Sequence, residues 1–84
     1  MSEYADVRFH KIKILLDWLQ RKNEHISVRS GKHNYTIKYV YQERPYPIPT
    51  NHGVVNKHIV KALMKVLTVQ WRICTKEEFD EIIK

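Results

Sequence analysis

The stretch ISVRSGKHNYTIKYVYQ, residues 26–42, decides the fold of this chain. Residues 26–30 alternate apolar and polar side chains, as a half-buried strand does. Residues 33–42 alternate in the same way, with tyrosines and an isoleucine on one face, and predict a second strand. Gly31 and its neighbours have the composition of a turn. The pattern therefore predicts a β-hairpin, with a histidine, His33, where the second strand begins.

Regular patterns continue on both sides of this hairpin. An amphipathic helix is predicted from Asp6 to Lys22, because apolar residues recur there at steps of three and four. Residues 45–50, PYPIPT, contain three prolines and predict a short edge strand or an extended segment. Residues 50–53 are expected to form a loop, and helical spacing resumes from Val55. The buried face of that second helix is expected to consist of Ile59, Ala62, Leu63, Val66 and Leu67.

Two further elements are predicted near the end of the sequence. VQWRIC, residues 69–74, alternates like a short added strand. Thr75 and Glu78 have the spacing of a capping box, which predicts a last helix from Thr75 to Ile83. We therefore predict one α+β domain over residues 1–84: a three-stranded antiparallel sheet covered on one face by two helices, with a short C-terminal extension. This α-β-β-β-α order is similar to that of double-stranded-RNA-binding domains.

Basic residues are concentrated in the middle of the chain. The formal net charge is +6, and residues 26–76 carry nine Lys or Arg against one Asp or Glu. Lys57, Lys61 and Lys65 stand four apart on a predicted helix, a spacing at which like charges repel. Such a surface favours a polyanion such as nucleic acid as its partner. The alternative is a solvated helix face that binds no ligand.

The composition argues against several other classes of protein. The one cysteine, Cys74, cannot form an internal disulfide, which indicates a reducing, cytoplasmic location. No apolar run approaches the roughly 18–20 residues that cross a bilayer, and residues 1–11 lack the apolar core of a signal peptide. The histidines and the cysteine lack the paired spacing of a zinc site, and the glycines form no phosphate-binding signature. We therefore expect no membrane contact, no metal and no other cofactor.

Four short motifs, taken in order, resemble those of HicA-family toxins. They are GKHNY at residues 31–35, YPIPTNH at 46–52, NKHIVKALMKVL at 56–67 and TKEEF at 75–79. The resemblance covers about residues 10–80, with Pro49 matching a proline of the third strand and Phe79 a phenylalanine of the terminal segment. HicA-family proteins are small mRNA interferases with a double-stranded-RNA-binding-like fold. The resemblance implies this fold, cleavage of mRNA, and a cognate HicB-like antitoxin that covers the active face.

The resemblance also implies roles for individual residues. His33 matches the catalytic histidine of the family, Gly31 the glycine of the turn and Tyr35 the nearby aromatic residue. His52 matches the histidine after the third strand, one residue later than is usual in the family. Lys32 stands where the family has serine or threonine. His33 is thus the candidate catalytic residue, with His52 and Tyr35 as accessory residues.

The chemistry of RNA cleavage suits these residue types. Cleavage without a metal requires the 2′-hydroxyl to lose a proton while the leaving 5′-oxygen gains one, and an imidazole suits either transfer. Arginine or lysine stabilises the charge on the phosphoryl oxygens. Basic residues lie within a few positions of His33 and along the second helix. The candidate RNA-binding residues are Arg29, Lys32, Lys38, Lys57, Lys61 and Lys65.

Other interpretations of the sequence stay open. Histidine tolerates unusual backbone angles, so His33 could be a turn residue and nothing more. The chain could be a non-catalytic RNA- or DNA-binding module on the same fold. It could also be an adaptor for an acidic protein, in which case added RNA would not compete for the basic face.

Overall fold

The computed structural model of the chain describes residues 4–31 and 34–84, so Lys32 and His33 lie outside the described residues. The elements in chain order are β1 (Val7–Arg8), α1 (Phe9–Lys22), β2 (Ile26–Ser30), β3 (Asn34–Tyr39), β4 (Tyr46–Pro49), β5 (Val54–Val55), α2 (Lys57–Lys65), a π-helical turn (Val66–Gln70) and α3 (Lys76–Ile83). Strands β2, β3 and β4 form an antiparallel sheet in that order. The predicted α+β class with a three-stranded antiparallel sheet is therefore confirmed.

Strand pairing gives the sheet one apolar and one polar face. Ile37 of β3 lies opposite Val28 of β2 and Tyr46 of β4, and its side chain is completely buried. On the other face, Lys38 lies opposite Ser27, and both are exposed. Because successive side chains of a strand point to opposite faces, the first set defines an inner face and the second an outer face. The three-proline segment forms β4 at one edge of the sheet, as predicted.

The helices supply the core that covers the inner face. α1 packs against β2 and α3, and α2 packs against β4. The buried residues of the two longer helices are Ile12, Leu15, Leu16 and Leu19 of α1 and Val60, Leu63 and Met64 of α2. Full burial of one such side chain contributes about 1.5–3 kcal/mol. Packing against the sheet therefore fixes the positions of both helices.

The first helix begins later than predicted, at Phe9 rather than Asp6. The residues before it form β1, which pairs with β5 in a separate two-stranded ribbon. The backbone amide of Phe9 donates to the carbonyl oxygen of Gly53 at 2.8 Å. A turn that is distant in sequence thus satisfies one of the free amides at the start of α1. This contact places the start of α1 beside the turn at residues 51–54.

The buried face of α2 differs from the predicted one. Ala62 is exposed, whereas Val60 and Met64, which the prediction left out, are buried. Lys61 is half-buried, while Lys57 and Lys65 are exposed. With 3.6 residues per helical turn, the lysine row lies beside the buried face rather than opposite to it. The lysines therefore border the packed surface of the helix.

The strand predicted for residues 69–74 is not present, and that prediction is wrong. Val66–Gln70 continue α2 as a π-helical turn, and an irregular segment follows. In that segment Trp71 and Ile73 are buried, and the ring of Trp71 stacks on Tyr39 with centroids 5.2 Å apart. The alternation in the sequence thus reflects two side chains that anchor irregular backbone to the core.

The last helix and its cap follow the prediction. Thr75 is the N-cap of α3: its hydroxyl accepts from the amide of Glu78 at 3.1 Å, and its own amide donates to the Glu78 carboxylate at 3.0 Å. Lys22 donates to the same carboxylate at 2.8 Å and links α3 to the end of α1. Within residues 4–31 and 34–84, no helix is long and apolar enough to cross a membrane.

Candidate functional site

A cleft of about 530 Å³ lies where the β2–β3 hairpin meets the loop before β5. Its lining residues are Phe9, Gly31, Asn34, Tyr35, Thr50, Asn51, His52 and Gly53. Gly31 and Asn34 immediately precede and follow Lys32 and His33 in the sequence. The predicted catalytic residue lies outside the described residues, but its neighbours form part of the cleft wall. The accessory residues His52 and Tyr35 both line the cleft.

The hairpin side of the cleft is closed by Gly31 and Asn34. The amide of Gly31 donates to the carbonyl oxygen of Asn34 at 2.7 Å. A Cβ at position 31 would overlap the Asn34 side-chain oxygen and lie 3.4 Å from its carbonyl oxygen. A side chain at position 31 would therefore require the exposed Asn34 side chain to move, while the backbone contact would be an ordinary one.

A tight turn forms another part of the cleft wall. Asn51 and Val54 exchange backbone hydrogen bonds of 2.9 and 3.0 Å, and the two residues between them have positive φ, 53° at His52 and 76° at Gly53. Positive φ at both central residues is typical of a type I′ turn, and histidine is among the residues that tolerate it. The turn holds His52 exposed at the edge of the cleft.

Two aromatic rings form the apolar part of the cleft. Phe9 and Tyr35 are stacked, with ring centroids 4.5 Å apart and an interplanar angle of 25°. The Phe9 backbone is held by the carbonyl oxygen of Gly53, and Tyr35 is held in β3. Both side chains are half-buried. The turn, the helix and the sheet thus fix this aromatic surface, a stacked pair whose facing sides are covered, beside the polar rim.

Neutral groups make up the polar part of the cleft. In the part of the chain that the structure describes, no aspartate or glutamate lines it, and its polar side-chain groups are two amides, two hydroxyls and an imidazole. The same residues contain no group of three His, Cys, Asp or Glu side chains placed to hold a metal ion. Without carboxylates in its lining, the cleft suits a neutral polar or an anionic ligand.

Cys74 lies outside the cleft and is buried among core residues. Burial raises the pKa of its thiol to about 11, against a smaller opposing effect of the Lys22 charge. Because the thiolate is the reactive form, this thiol stays protonated and unreactive near neutral pH. Cys74 is therefore a core residue and not a candidate nucleophile.

The candidate phosphate-binding residues that the structure describes lie in two layers of the molecule. Arg29 and Lys38 are exposed on the outer face of the sheet, opposite Thr36 and Ser27 in the strand register. The lysine row belongs to α2, in the helical layer on the other side of the sheet. Tyr35 lies on the inner face, so the cleft shares the helical layer. The structure therefore does not bring all the predicted RNA-binding residues to one surface.

These cations also differ in their partners from Lys22, Lys76 and Lys84. Among residues 4–31 and 34–84, Arg29, Lys38 and the α2 lysines make no ion pair. In contrast, Lys22 pairs with Glu78 at 2.8 Å, and Lys76 pairs with Asp80 at 2.7 Å. Lys13 and Arg21 likewise make no ion pair among the described residues, so the candidate cations belong to a larger set of uncompensated charges.

Two residues of the sequence motifs belong to the core and the sheet rather than to the cleft, and some residues of the cleft were not predicted. Phe79 is completely buried against Tyr4, with ring centroids 5.8 Å apart, and Pro49 pairs with Asn34 in the sheet. The sequence patterns placed Phe9 within a predicted helix and gave it no part in a site, and they did not indicate Asn34 or Asn51. The His-Gly pair in a loop was the available signal for the turn that Asn51 begins.

Comparisons of the chain with protein-family models, with curated proteins and with solved structures gave no match.

Proposed function

We propose that the protein is an mRNA interferase of HicA type, built on a double-stranded-RNA-binding-like arrangement of sheet and helices. One observation carries this proposal: two motifs that are separate in sequence line the same cleft. GKHNY contributes Gly31, Asn34 and Tyr35, and YPIPTNH contributes Thr50, Asn51 and His52. In the HicA-family resemblance, these are the two motifs whose histidines, His33 and His52, match histidines of the family. Their meeting at one cleft supports a shared role in chemistry.

The proposed reaction is an attack by the neighbouring 2′-oxygen on phosphorus. The 2′-hydroxyl gives its proton to an acceptor, the P–O5′ bond breaks, and the 5′-oxygen takes a proton from a donor. The products are a 2′,3′-cyclic phosphate and a 5′-hydroxyl. His33 is proposed for one of these transfers, because imidazole changes charge near neutral pH. His52, at the cleft wall, is available for the other.

Cationic side chains would then stabilise the charge on the phosphate. Lys32 adjoins His33 in sequence, and the lysine row of α2 shares the helical layer with the cleft. Phosphate contacts position a strand, while the residues of the cleft act on one linkage. The resemblance further supports a HicB-like antitoxin that inhibits cleavage by covering this face.

The decisive experiment replaces His33. We expect His33→Ala to lower the rate of cleavage of a purified mRNA by about 10²–10⁴-fold, since that is the usual contribution of a positioned acid or base. RNA binding and the thermal unfolding temperature should stay close to those of the wild type. His10→Ala is the matched control, because His10 is exposed on α1 and lies outside the cleft. Wild-type cleavage should persist in excess EDTA.

Equal cleavage by the wild type and the folded His33→Ala variant would rule out the catalytic assignment. The second candidate function is a non-catalytic RNA- or DNA-binding module, and the uncompensated cations on two layers favour it. No cleavage by either protein, together with salt-sensitive RNA binding by both, would establish that alternative. An adaptor for an acidic protein would instead bind its partner without competition from RNA.

A further inference from the structure

We propose that the cleft holds one unpaired nucleobase of the RNA strand, stacked on the aromatic surface of Phe9 and Tyr35 and recognised at its edge by Asn34 and Asn51. This inference rests on the proposed RNA binding and adds to it the chemical class of ligand that the cleft itself takes. It assigns base selection to residues that are separate from the proposed proton-transfer groups.

The size and lining of the cleft fit a nucleobase. Its volume of about 530 Å³ lies within the roughly 300–1,000 Å³ of typical small-ligand sites. Phe9 and Tyr35 are stacked on each other, so a base would stack on the outer face of one ring, and both rings are half-buried and line the cleft. Stacking on aromatic side chains is a general way in which proteins hold unstacked bases.

Stacking alone does not distinguish one base from another, and the two asparagines supply this selectivity. Each side-chain amide offers two donors and an oxygen acceptor, and such a pattern can pair with two adjacent groups on a base edge. Asn34 and Asn51 belong to different segments that line the cleft, and both are exposed. Among the residues that the structure describes, neither side-chain amide is engaged in a hydrogen bond. Because both side chains are exposed, a ligand in the cleft can reach them.

A base bound in this way must be unpaired. Inside a duplex, both faces of a base are stacked on its neighbours and its Watson–Crick edge is occupied, so neither surface is free for the protein. The proposal therefore predicts preference for single-stranded RNA at the cleft, even though the order of helices and strands resembles that of double-stranded-RNA-binding domains.

The test uses a short 2′-O-methyl RNA that contains 2-aminopurine, because the methyl group blocks attack by the 2′-oxygen and separates binding from cleavage. The wild type should quench the 2-aminopurine fluorescence by stacking. Tyr35→Leu should remove the quenching and weaken binding by about 5- to 150-fold, the value of one stacked base. Tyr41→Leu is the matched control: Tyr41 is 66% exposed and lies beyond the far end of β3, and binding should stay within about 2-fold, as for a surface site.

A second variant covers the possibility that Tyr35→Leu does not fold. Asn51→Ala leaves the aromatic surface in place and should reduce the difference in affinity among oligonucleotides that carry each of the four bases, while quenching is retained. Absence of quenching by the wild type, or equal base preference in the wild type and Asn51→Ala, would overturn the inference but leave RNA binding intact. Failure of the wild type to bind any RNA would overturn the proposed function, and the inference with it.

Discussion

Two explanations exist for the histidine at position 52: the backbone conformation of its turn and a chemical role of its imidazole. His52 has φ of 53° in a turn whose next residue, Gly53, has φ of 76°. A histidine is tolerated there, but asparagine is tolerated equally well in this region. The conformation therefore does not require an imidazole. Only a chemical role would require an imidazole at this position.

We expect His52→Asn to keep the fold and to reduce cleavage. The unfolding free energy should change by no more than about 0.5 kcal/mol, because the side chain is exposed and the new residue accepts positive φ. Cleavage should fall by about 10²–10⁴-fold if the imidazole transfers a proton. Urea denaturation and single-turnover cleavage measure the two effects. Wild-type cleavage by the folded variant would assign His52 to the turn alone.

At the scale of elements, the capping box of α3 is the clearest case in which local sequence determines local structure. Thr75 and Glu78 satisfy each other's backbone amides, and Lys22 adds a hydrogen bond from α1. The hydrogen bond from Lys22, followed by that from the Thr75 backbone, lowers the pKa of the Glu78 carboxyl. A lowered pKa stabilises the fold above the ordinary value of the group, and this stabilisation is lost as the pH falls through the folded-state value.

Thr75→Ala should lower the free energy of unfolding by about 0.5–2 kcal/mol, since it removes the acceptor for the Glu78 amide. Thr75→Ser keeps a hydroxyl at the same position and should be close to the wild type. Urea denaturation at neutral pH makes the comparison. An alanine variant as stable as the serine variant would show that packing of the helix, and not its cap, determines its stability.

Strands and helices could be predicted from the sequence where burial of one face is the cause of the side-chain periodicity. The sheet strands alternate because one face is buried and the other is not, and the hairpin was therefore found from residues 26–42. Residues 69–74 alternate for another reason, the anchoring of Trp71 and Ile73 in the core, and no local rule separates the two cases. β1 and β5 have two residues each, too few to show a period. Their pairing depends on contacts that are distant in sequence.

At the scale of the whole molecule, the candidate cleft is a product of packing. The radius of gyration is 11.8 Å, close to the roughly 12 Å expected for a compact chain of this length. This packing joins the start of α1, the β2–β3 hairpin and the turn before β5 around one opening. The motifs indicated two of these segments. Phe9 was beyond sequence reasoning, because its role arises only when the turn carbonyl and Tyr35 meet it.

The same packing divides the basic residues, and this division gives the last prediction. An RNA strand seated against Tyr35 lies on the helical side of the sheet, which also carries the lysines of α2. Each phosphate contact in a single-stranded complex contributes about 0.7 to the slope of log K against log salt. The triple variant Lys57→Ala, Lys61→Ala, Lys65→Ala should therefore reduce the slope by about 2 units.

The double variant Arg29→Ala, Lys38→Ala should leave the slope nearly unchanged, because both residues face away on the outer side of the sheet. Lys76→Ala with Lys84→Ala is the matched control, since both lysines are paired with Asp80. Fluorescence anisotropy with a single-stranded 2′-O-methyl RNA over a series of salt concentrations measures all three variants. A reduced slope in the outer-face variant, with no change in the triple variant, would place the RNA on the sheet and separate its binding surface from the cleft.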